Sequence, residues 1–205
     1  MRLKHIQTSG FKSFVEPLKI SFDKDLTGVV GPNGCGKSNV VDAIKWVLGE
    51  SSAKQVRGDT MTDVIFNGTE TRKRMSFCSV EMVFDNTHNK IQGVWGRYDE
   101  ISIKRTLNRD SESNYFINNQ NVRKRDVTDI FYGTGLGPRG YSIIEQGTIG
   151  RLVDARPEEL KIYIEEAAGV SKYKERKKET ESRLNNSKDN LKRVQDLDGE
   201  LTNRL

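Results

Sequence analysis

Residues 31–38 constrain the fold more than any other part of this chain. They read Gly-Pro-Asn-Gly-Cys-Gly-Lys-Ser, which fits the pattern GxxxxGK[ST]. The apolar run at residues 26–30 precedes this loop and predicts a buried strand. After the loop, apolar residues recur at helical spacing up to a stop at Gly49: Val40, Val41, Ile44, Val47 and Leu48. The order strand, glycine-rich turn and helix predicts an α/β fold built around a phosphate-binding loop.

Each fixed position of the loop has a chemical reason. Glycines let successive backbone N–H groups point inward around phosphate oxygens, and the N-terminus of the following helix adds a positive dipole. Lys37 is expected to reach the β and γ phosphates of ATP, and the Ser38 hydroxyl is expected to coordinate Mg²⁺. The alternative is a glycine turn with an incidental lysine. The predicted nucleotide contacts in and next to the loop are Gly31, Pro32, Asn33, Gly34, Cys35, Gly36, Lys37, Ser38 and Asn39.

Composition excludes several classes of protein. Cys35 and Cys78 are the only two cysteines, too few for a disulfide scaffold or a tetrahedral zinc site. We expect the Cys35 thiol to fill space in the loop rather than act as a nucleophile. The longest apolar stretches are too short or too interrupted to cross a bilayer, so we expect a cytoplasmic protein that does not enter membranes. The formal net charge of +5 permits contact with nucleic acid without proving it.

Outside the loop, the pattern predicts two β-rich blocks and three helices. Alternating apolar residues predict strands at 3–8, 17–22, 79–84, 101–107, 115–117, 120–123 and 141–144. Asn118-Asn119 predicts a hairpin turn. Helices are expected at 123–131, from Pro157 to a stop at Gly169, and in the charged segment that follows. We therefore expect one domain at residues 1–169 and the start of a coiled-coil arm at residues 170–205.

The segment 170–205 carries an imperfect heptad pattern. With Leu184 at position a, five of the seven a and d positions are apolar. Gly199 interrupts the pattern at a cost of about 1 kcal/mol relative to alanine. The alternative is a solvated amphipathic helix packed on the domain, but its apolar stripe is narrow. The a and d positions are Leu184, Ser187, Leu191, Val194, Asp198, Leu201 and Leu205.

Several segments beyond the phosphate loop resemble the structural maintenance of chromosomes (SMC) ATPases, and specifically the N-terminal half of the head of a bacterial member. The resemblance covers essentially the whole chain and keeps the order of that family's motifs. It implies the N-terminal lobe of an ABC-type ATPase, with a mixed β-sheet around the helix of the phosphate loop and the start of a coiled coil. The matching segments are GFKSF (10–14), GPNGCGKSNVVDAIKWVLGE (31–50), RG (57–58), DVIFNG (63–68), YSIIEQG (141–147) and EEAAGVSKYK (165–174).

The resemblance also implies roles for residues outside the loop. Gln146 matches a glutamine expected to contact Mg²⁺ and the attacking water, which makes it, with Lys37, a candidate catalytic residue. Arg57 matches an arginine that approaches the phosphates and can respond to DNA. Lys12 and Ser13 match a loop near the phosphates, and Val64 matches a residue that lines the adenine. From the residues alone, the alternatives are a polar residue after a strand for Gln146, an exposed turn for Arg57 and a core position for Val64.

A basic cluster lies where the predicted arm leaves the head. The resemblance favours double-stranded DNA across the heads and arms, held by contacts to phosphates that do not depend on sequence. The alternative is a solvated helix face, because acidic residues are interleaved at spacings that form intrahelical pairs. The cluster consists of Lys172, Lys174, Arg176, Lys177 and Lys178.

The functional expectation is an ATP-dependent machine for chromosome condensation and segregation that acts at the nucleoid. The sequence contains no segment resembling LSGG and no apolar run that ends in an Asp-Glu pair. Because the family carries both in a C-terminal lobe, the resemblance implies half of an active site, inactive alone. The implied partners are that lobe, a second identical subunit joined through head and arm, DNA, and accessory subunits of the condensin type. The alternatives are a double-strand-break repair ATPase of the same superfamily and a scaffold that uses ATP only to hold an interface. An ABC transporter domain is disfavoured because a heptad coil replaces its helical subdomain.

Overall fold

The computed structural model describes residues 2–24, 26–87, 91, 94–131, 134–136, 142–144 and 147–204. The chain divides into two compact units. The first unit comprises Met1–Phe131 with Leu136–Arg139, and the second comprises Tyr132–Gly135 with Gly140–Leu205. The domain boundary that the sequence predicts at residue 169 stays a prediction.

The first unit is built on a six-stranded sheet in the order β2-β1-β3-β4-β5-β6. Every pair of neighbouring strands is antiparallel. The α/β class is confirmed, but the expected mixed sheet is antiparallel throughout the described residues. The strands are β1 (Arg2–Ser9), β2 (Leu18–Ser21), β3 (Phe77–Asp85), β4 (Glu100–Asn108), β5 (Ser113–Ile117) and β6 (Gln120–Val122).

Short hairpin connections explain why the later strands run antiparallel. Asn118 and Asn119 join β5 to β6 with φ of 47° and 63°. Two successive residues with positive φ are typical of the type I′ turn, whose twist matches that of the strands it connects. Asn tolerates this conformation better than other residues with a side chain, so the predicted turn is confirmed.

The strand predicted immediately before the phosphate loop is wrong. Residues 26–30 have no regular structure, and Leu26 and Val30 are 89% and 92% exposed. An apolar run becomes a strand only when neighbouring strands satisfy its backbone N–H and C=O groups. No strand among the described residues pairs with this segment. The apolar run therefore lies open beside the loop.

Helix α1 (Lys37–Val47) packs on β3 and β4 and carries the C-terminal end of the phosphate loop. Its apolar buried residues are Val40, Ala43, Trp46 and Val47. Val41 and Ile44 are only half-buried, so the buried face is rotated from the predicted one. Gly49 ends the helical segment with φ of 106°, as predicted. Three short 3-10 helices follow α1 in the chain. Lys54–Val56 and Met61–Val64 precede β3, and Val94–Arg97 lies between β3 and β4 in sequence.

One arginine locks the end of α1 to the sheet. The guanidinium of Arg105, on β4, lies between the rings of Trp46 and Tyr115, 4.4 Å and 4.8 Å from their centroids. Its Nη1 atom donates to the carbonyl oxygens of Trp46 at 2.8 Å and Glu50 at 2.6 Å. Cations at the C-terminus of a helix are favoured by its dipole. Arg105 therefore fixes where α1, and with it the loop, sits on the sheet.

Helix α2 (Lys124–Phe131) follows β6 in the first unit and confirms the helix predicted there. Its buried side chains are Val127 and Phe131, four residues apart on one face. The ring of Phe131 packs edge-on against Phe84 of β3, with the centroids 5.5 Å apart. Of the glycine-rich segment 133–138 that follows, the structure describes residues 134–136.

The second unit consists of α3 (Thr148–Val153), α4 (Pro157–Ala167) and α5 (Ser171–Arg204). Pro157 opens α4 with Glu158 and Glu159 in its first turn, as predicted. The six-residue α3 was not predicted. A strand at 141–144 was predicted, but Ser142–Ile144 is irregular and Tyr141 lies outside the described residues. Helices long and apolar enough to cross a membrane are absent from the described part.

Candidate phosphate-binding site

The loop before α1 has the backbone geometry that an anion-binding turn needs. Gly34 and Gly36 have φ of 81° and 93°, a region that residues with a Cβ rarely adopt. Gly36 is the N-cap of α1, and no described side chain caps the first turn or places an acid in it. The N–H groups at this helix end are therefore available to an anion.

A side chain on either of two loop glycines would displace a neighbouring side chain. A Cβ on Gly36 would lie 2.7 Å from the Ser13 Oγ atom, and a Cβ on Gly31 would lie 2.8 Å from the Cys35 Sγ atom. The Cys35 thiol lies beside Gly31 and is exposed, so the space-filling role predicted for it stays a prediction. The absence of both side chains keeps the loop in close contact with itself and with Ser13.

The predicted lysine folds back over its own loop. The Lys37 Nζ atom donates to the carbonyl oxygens of Gly31 and Pro32, each at 2.6 Å. This places the ammonium at the mouth of the turn formed by residues 31–36. Ser38, the next residue of α1, is exposed, so its hydroxyl is accessible to a cation. One hydroxyl fits Mg²⁺, which usually takes few protein ligands and keeps waters or phosphate oxygens in the remaining positions.

Four predicted residues that are up to 45 positions apart in the sequence lie in one hydrogen-bonded cluster beside the loop. Asn39 connects two of them, because its Nδ2 donates to Ser13 Oγ at 2.8 Å and its Oδ1 accepts from Arg57 Nη2 at 3.0 Å. Lys12 joins through an acid that sequence reasoning missed, Asp42. We call Lys12, Ser13, Asn39, Asp42 and Arg57 the Asp42 cluster.

Asp42 lies at the centre of the cluster and is almost completely buried, with a side chain only 3% exposed. Its Oδ2 atom accepts from Lys12 Nζ and from both Nε and Nη2 of Arg57, the Nε contact being 3.0 Å. A buried carboxylate requires partners of this kind. The helical period gave no signal for Asp42, because it lies opposite the apolar face that the spacing of α1 predicts, and its partners are 30 and 15 residues away.

Both cations of the cluster stand on left-handed backbone. Lys12 has φ of 49° and Arg57 has φ of 55°, which is uncommon for residues with a side chain. The backbone N–H of Lys12 donates to Val64 O at 2.7 Å, and its ammonium donates to Val56 O. Hydrogen bonds therefore hold both the backbone and the side chain of Lys12 in place. Residues held in such conformations concentrate at functional sites.

Of the residues outside the phosphate loop that were predicted to take part in the nucleotide site, two are not part of this cluster. Val64 is fully buried in the core of the first unit, and its proposed contact with the adenine stays a prediction. Gln146 lies outside the described residues, so its role also stays a prediction.

The predicted basic cluster lies on α5. Some of its side chains form ion pairs with acidic residues of the second unit. Lys174 forms an ion pair with Glu165 of α4, and Lys177 lies 3.8 Å from Glu181. The side chain of Lys172 lies outside the described part. The pair Lys177–Glu181 is of the intrahelical kind that the alternative, a solvated helix face, predicts. Lys177 remains 67% exposed, so its pairing does not remove it from solvent.

A glycine loop of this geometry, closed by a lysine and followed directly by a helix, defines the class of P-loop nucleotide-binding proteins. The chain belongs to the RecF/RecN/SMC family, whose N-terminal domain it matches over residues 2–142. The resemblance to the N-terminal half of a bacterial SMC head is thereby confirmed.

Individual relatives support the same assignment. The chain is 60% identical over all 205 residues to the chromosome partition protein Smc of Delftia acidovorans and covers 17% of it. It also resembles a solved Smc head with an extended coiled coil, bound to the C-terminal domain of ScpA and derived from Pyrococcus furiosus. That match has 31% identity and a TM-score of 0.76 over 96% of this chain and 49% of that one.

A third match is a solved structure described in work on the ATP-driven dimerization and DNA-stimulated activation of SMC ATPases. Its identity is 32% and its TM-score 0.72, over 81% of this chain and 99% of that one. The curated relatives are much longer than this chain, which spans about a sixth of their length.

Proposed function

We propose that this chain is the ATP-binding half of a chromosome-organising SMC ATPase head. The observation that carries the proposal is the phosphate loop: two glycines with positive φ, Lys37 at its mouth and the uncapped N-terminus of α1 behind it. In a member of the SMC family, a loop of this form binds the triphosphate of ATP.

Each residue of the site has a part in this function. On ATP binding, Lys37 would exchange its two loop carbonyls for phosphate oxygens, and Ser38 would supply one ligand to Mg²⁺, with Gln146 as the second proposed ligand. Arg57 adds positive charge beside the loop, and Lys12 neutralises the buried carboxylate of Asp42 there. The bound metal neutralises phosphate charge, and the chain itself orients the nucleotide through the N–H groups of residues 31–38.

A second lobe must complete the active site. Positioning of the attacking water and stabilisation of charge in the transition state require groups that a phosphate loop alone does not supply. The apolar residues 26–30 next to the loop are exposed, and so is Leu18 on the edge strand β2. Apolar surface of this kind is typical of a docking site. We propose that the C-terminal head lobe covers it and that the isolated chain does not turn over ATP.

The complete protein is proposed to act as a homodimer. ATP held between two heads would join them, hydrolysis would separate them, and DNA would lie across the heads and arms. Support comes from the relatives, since one solved SMC structure is described with ATP-driven dimerization and another with bound ScpA. An accessory subunit of that condensin type and a location at the nucleoid follow from the same comparison. Matches to chromosome partition proteins favour this function over double-strand-break repair.

The proposal predicts conditional ATPase activity. The chain should be silent alone and active when it is co-expressed with its C-terminal lobe, with a specific rate that rises with head concentration because two heads form the site. Phosphate release measured across a dilution series tests this expectation, and Lys37→Ala in the same complex is the control. Persistent silence of a folded complex that binds ATP would instead support a scaffold that uses the nucleotide only to hold an interface.

A further inference from the structure

The Asp42 cluster poses an electrostatic problem. A carboxylate one or two helical turns from an anion-binding loop repels the phosphates that the loop is proposed to bind. Asp42 lies three residues after Asn39 on α1, about 4.5 Å along the helix axis. Its burial makes screening by solvent weak. The carboxylate must therefore be neutralised by a partner that stays in place when the nucleotide arrives.

Lys12 meets this requirement. Its side chain is only 12% exposed, and its ammonium has a second acceptor, the carbonyl oxygen of Val56. Its backbone is held by Val64. Because the Lys12 ammonium is enclosed and anchored on two sides, the pair Lys12–Asp42 forms a neutral unit inside the protein.

Arg57 is the surplus cation of the cluster. Two positive charges face one carboxylate, so one positive charge is left over. The Arg57 side chain is 52% exposed, and its guanidinium bridges Asp42, below, and Asn39, in the first turn of α1 next to the phosphate loop. A guanidinium has five donors in a fixed fork, which suits it to carboxylate and phosphate alike. Of the two cations, Arg57 is the one that can leave.

We propose that Asp42 is a positioning residue that holds Arg57 one helical turn from the phosphate loop, and that a bound triphosphate takes the guanidinium over from it. Lys12 then remains as the sole partner of Asp42. This inference rests on the proposed binding of ATP in the loop. Asp42 and the nucleotide therefore compete for Arg57. The Arg57–Asp42 ion pair sets the affinity for ATP and keeps Arg57 close when the site is free.

Competition of this kind predicts the sign of a substitution. Asp42→Asn keeps the shape of the side chain but removes the charge, so that Arg57 moves to the phosphates without breaking an ion pair. Partly exposed ion pairs are weak, and losing one should tighten the binding of mant-ATP with Mg²⁺ by about two- to fivefold. In an Arg57→Ala background the same substitution should tighten binding less, since the residue that is exchanged is gone and only the loss of one negative charge near the site remains.

The test is a double-mutant cycle of Asp42→Asn and Arg57→Ala, read by fluorescence titration of mant-ATP, with thermal unfolding of each variant as the check on folding. Tighter binding that depends on Arg57 supports the inference. A purely structural Asp42 would weaken binding in both backgrounds alike, and that outcome, or no change in either, overturns it. Failure of the wild-type chain to bind mant-ATP would refute the proposed function itself.

A measurement on the wild-type chain covers the case in which Asp42→Asn does not fold. The Nε–H resonance of Arg57, assigned by its loss in Arg57→Ala, reports the contact with Asp42. Addition of ATP and Mg²⁺ should shift this resonance, because the acceptor changes from carboxylate to phosphate, whereas the Nε–H resonance of Arg105 should stay. An Arg57 resonance that does not move in a chain saturated with ATP overturns the inference.

Discussion

At the scale of single residues, Arg105 is the side chain on which the position of the phosphate loop depends most. It is 4% exposed, and burial lowers the pKa of its guanidinium from the usual value, although it stays protonated at any pH in use. Arg105→Ala removes two hydrogen bonds to the end of α1 and leaves a gap between two rings. We expect a loss of about 3 kcal/mol or more in the free energy of unfolding.

Urea denaturation measures this loss, and Arg97 provides a matched control. The Arg97 guanidinium also lies over an aromatic ring, that of Tyr98 at 5.2 Å, but the residue is exposed. Arg97→Ala should therefore change the stability by only about 0.5 to 1 kcal/mol. Equal effects of the two substitutions would show that the buried contacts of Arg105 do not hold the helix.

Cys78 on β3 gives the chain a pH-dependent stability term. Burial of the thiol raises its pKa from 9.0 to about 12. Above pH 9 the unfolded chain releases this proton and the folded chain keeps it, so rising pH favours unfolding. The wild type should lose stability relative to Cys78→Ala by about 1.4 kcal/mol per pH unit between pH 9 and 12. Thermal or urea unfolding of both chains over this range measures the difference, and a difference that is constant with pH would refute the assignment.

At this scale, the residues with fixed chemistry were predictable from the sequence, but Asp42, which joins them, was not. Lys37 and Ser38 belong to a local pattern, and Lys12 and Arg57 entered only through resemblance. Asp42 escaped because its partners are distant in sequence and nothing in local spacing connects an acid on α1 to them. A contact between distant residues depends on how the elements pack, which composition and periodicity do not specify.

At the scale of elements, strands with neighbours in the chain were predictable and the strand without one was not. Alternating apolar residues and the Asn118-Asn119 turn located β3 to β6, because each pairs with the next strand in the chain and the last two connections are short. The run at residues 26–30 has the same apolar composition but no described strand beside it. The short helix α3 was missed because six residues carry too little periodicity to show a pattern.

Helix α5 is the element to which the predicted DNA contacts belong. Reversing the charge of Arg176, Lys177 and Lys178 to Glu should weaken binding to duplexes of any sequence by at least tenfold and make it less dependent on salt, since each lost phosphate contact lowers the salt slope by about one. Fluorescence anisotropy at several salt concentrations measures both quantities.

The matched control reverses three lysines elsewhere in the chain, Lys24, Lys54 and Lys73. The change in net charge is the same, so this variant separates a local contact from general attraction to a polyanion. Equal losses in both variants, or binding that does not respond to salt, would contradict a DNA site on α5.

At the scale of the whole molecule, the chain combines a P-loop with exposed apolar surface. Its loop carries the groups that bind a triphosphate, whereas exposed apolar residues lie beside the loop and along α5, among them Leu184, Leu191 and Val194. The narrow stripe on α5 agrees with the predicted heptad pattern and is typical of a helix that pairs with another. Fold class and family followed from the sequence, while the open surfaces became visible only in the structure.

The most direct test of the central claim is a titration of the chain with mant-ATP in the presence of Mg²⁺. The wild type should bind saturably, and Lys37→Ala should bind at least tenfold more weakly with an unchanged circular dichroism spectrum, because the lysine supplies charge to the β and γ phosphates. Lys73→Ala, which removes an exposed lysine outside the loop, should bind as the wild type does. Wild-type affinity in a folded Lys37→Ala chain would contradict the assignment of residues 31–38 as the ATP site.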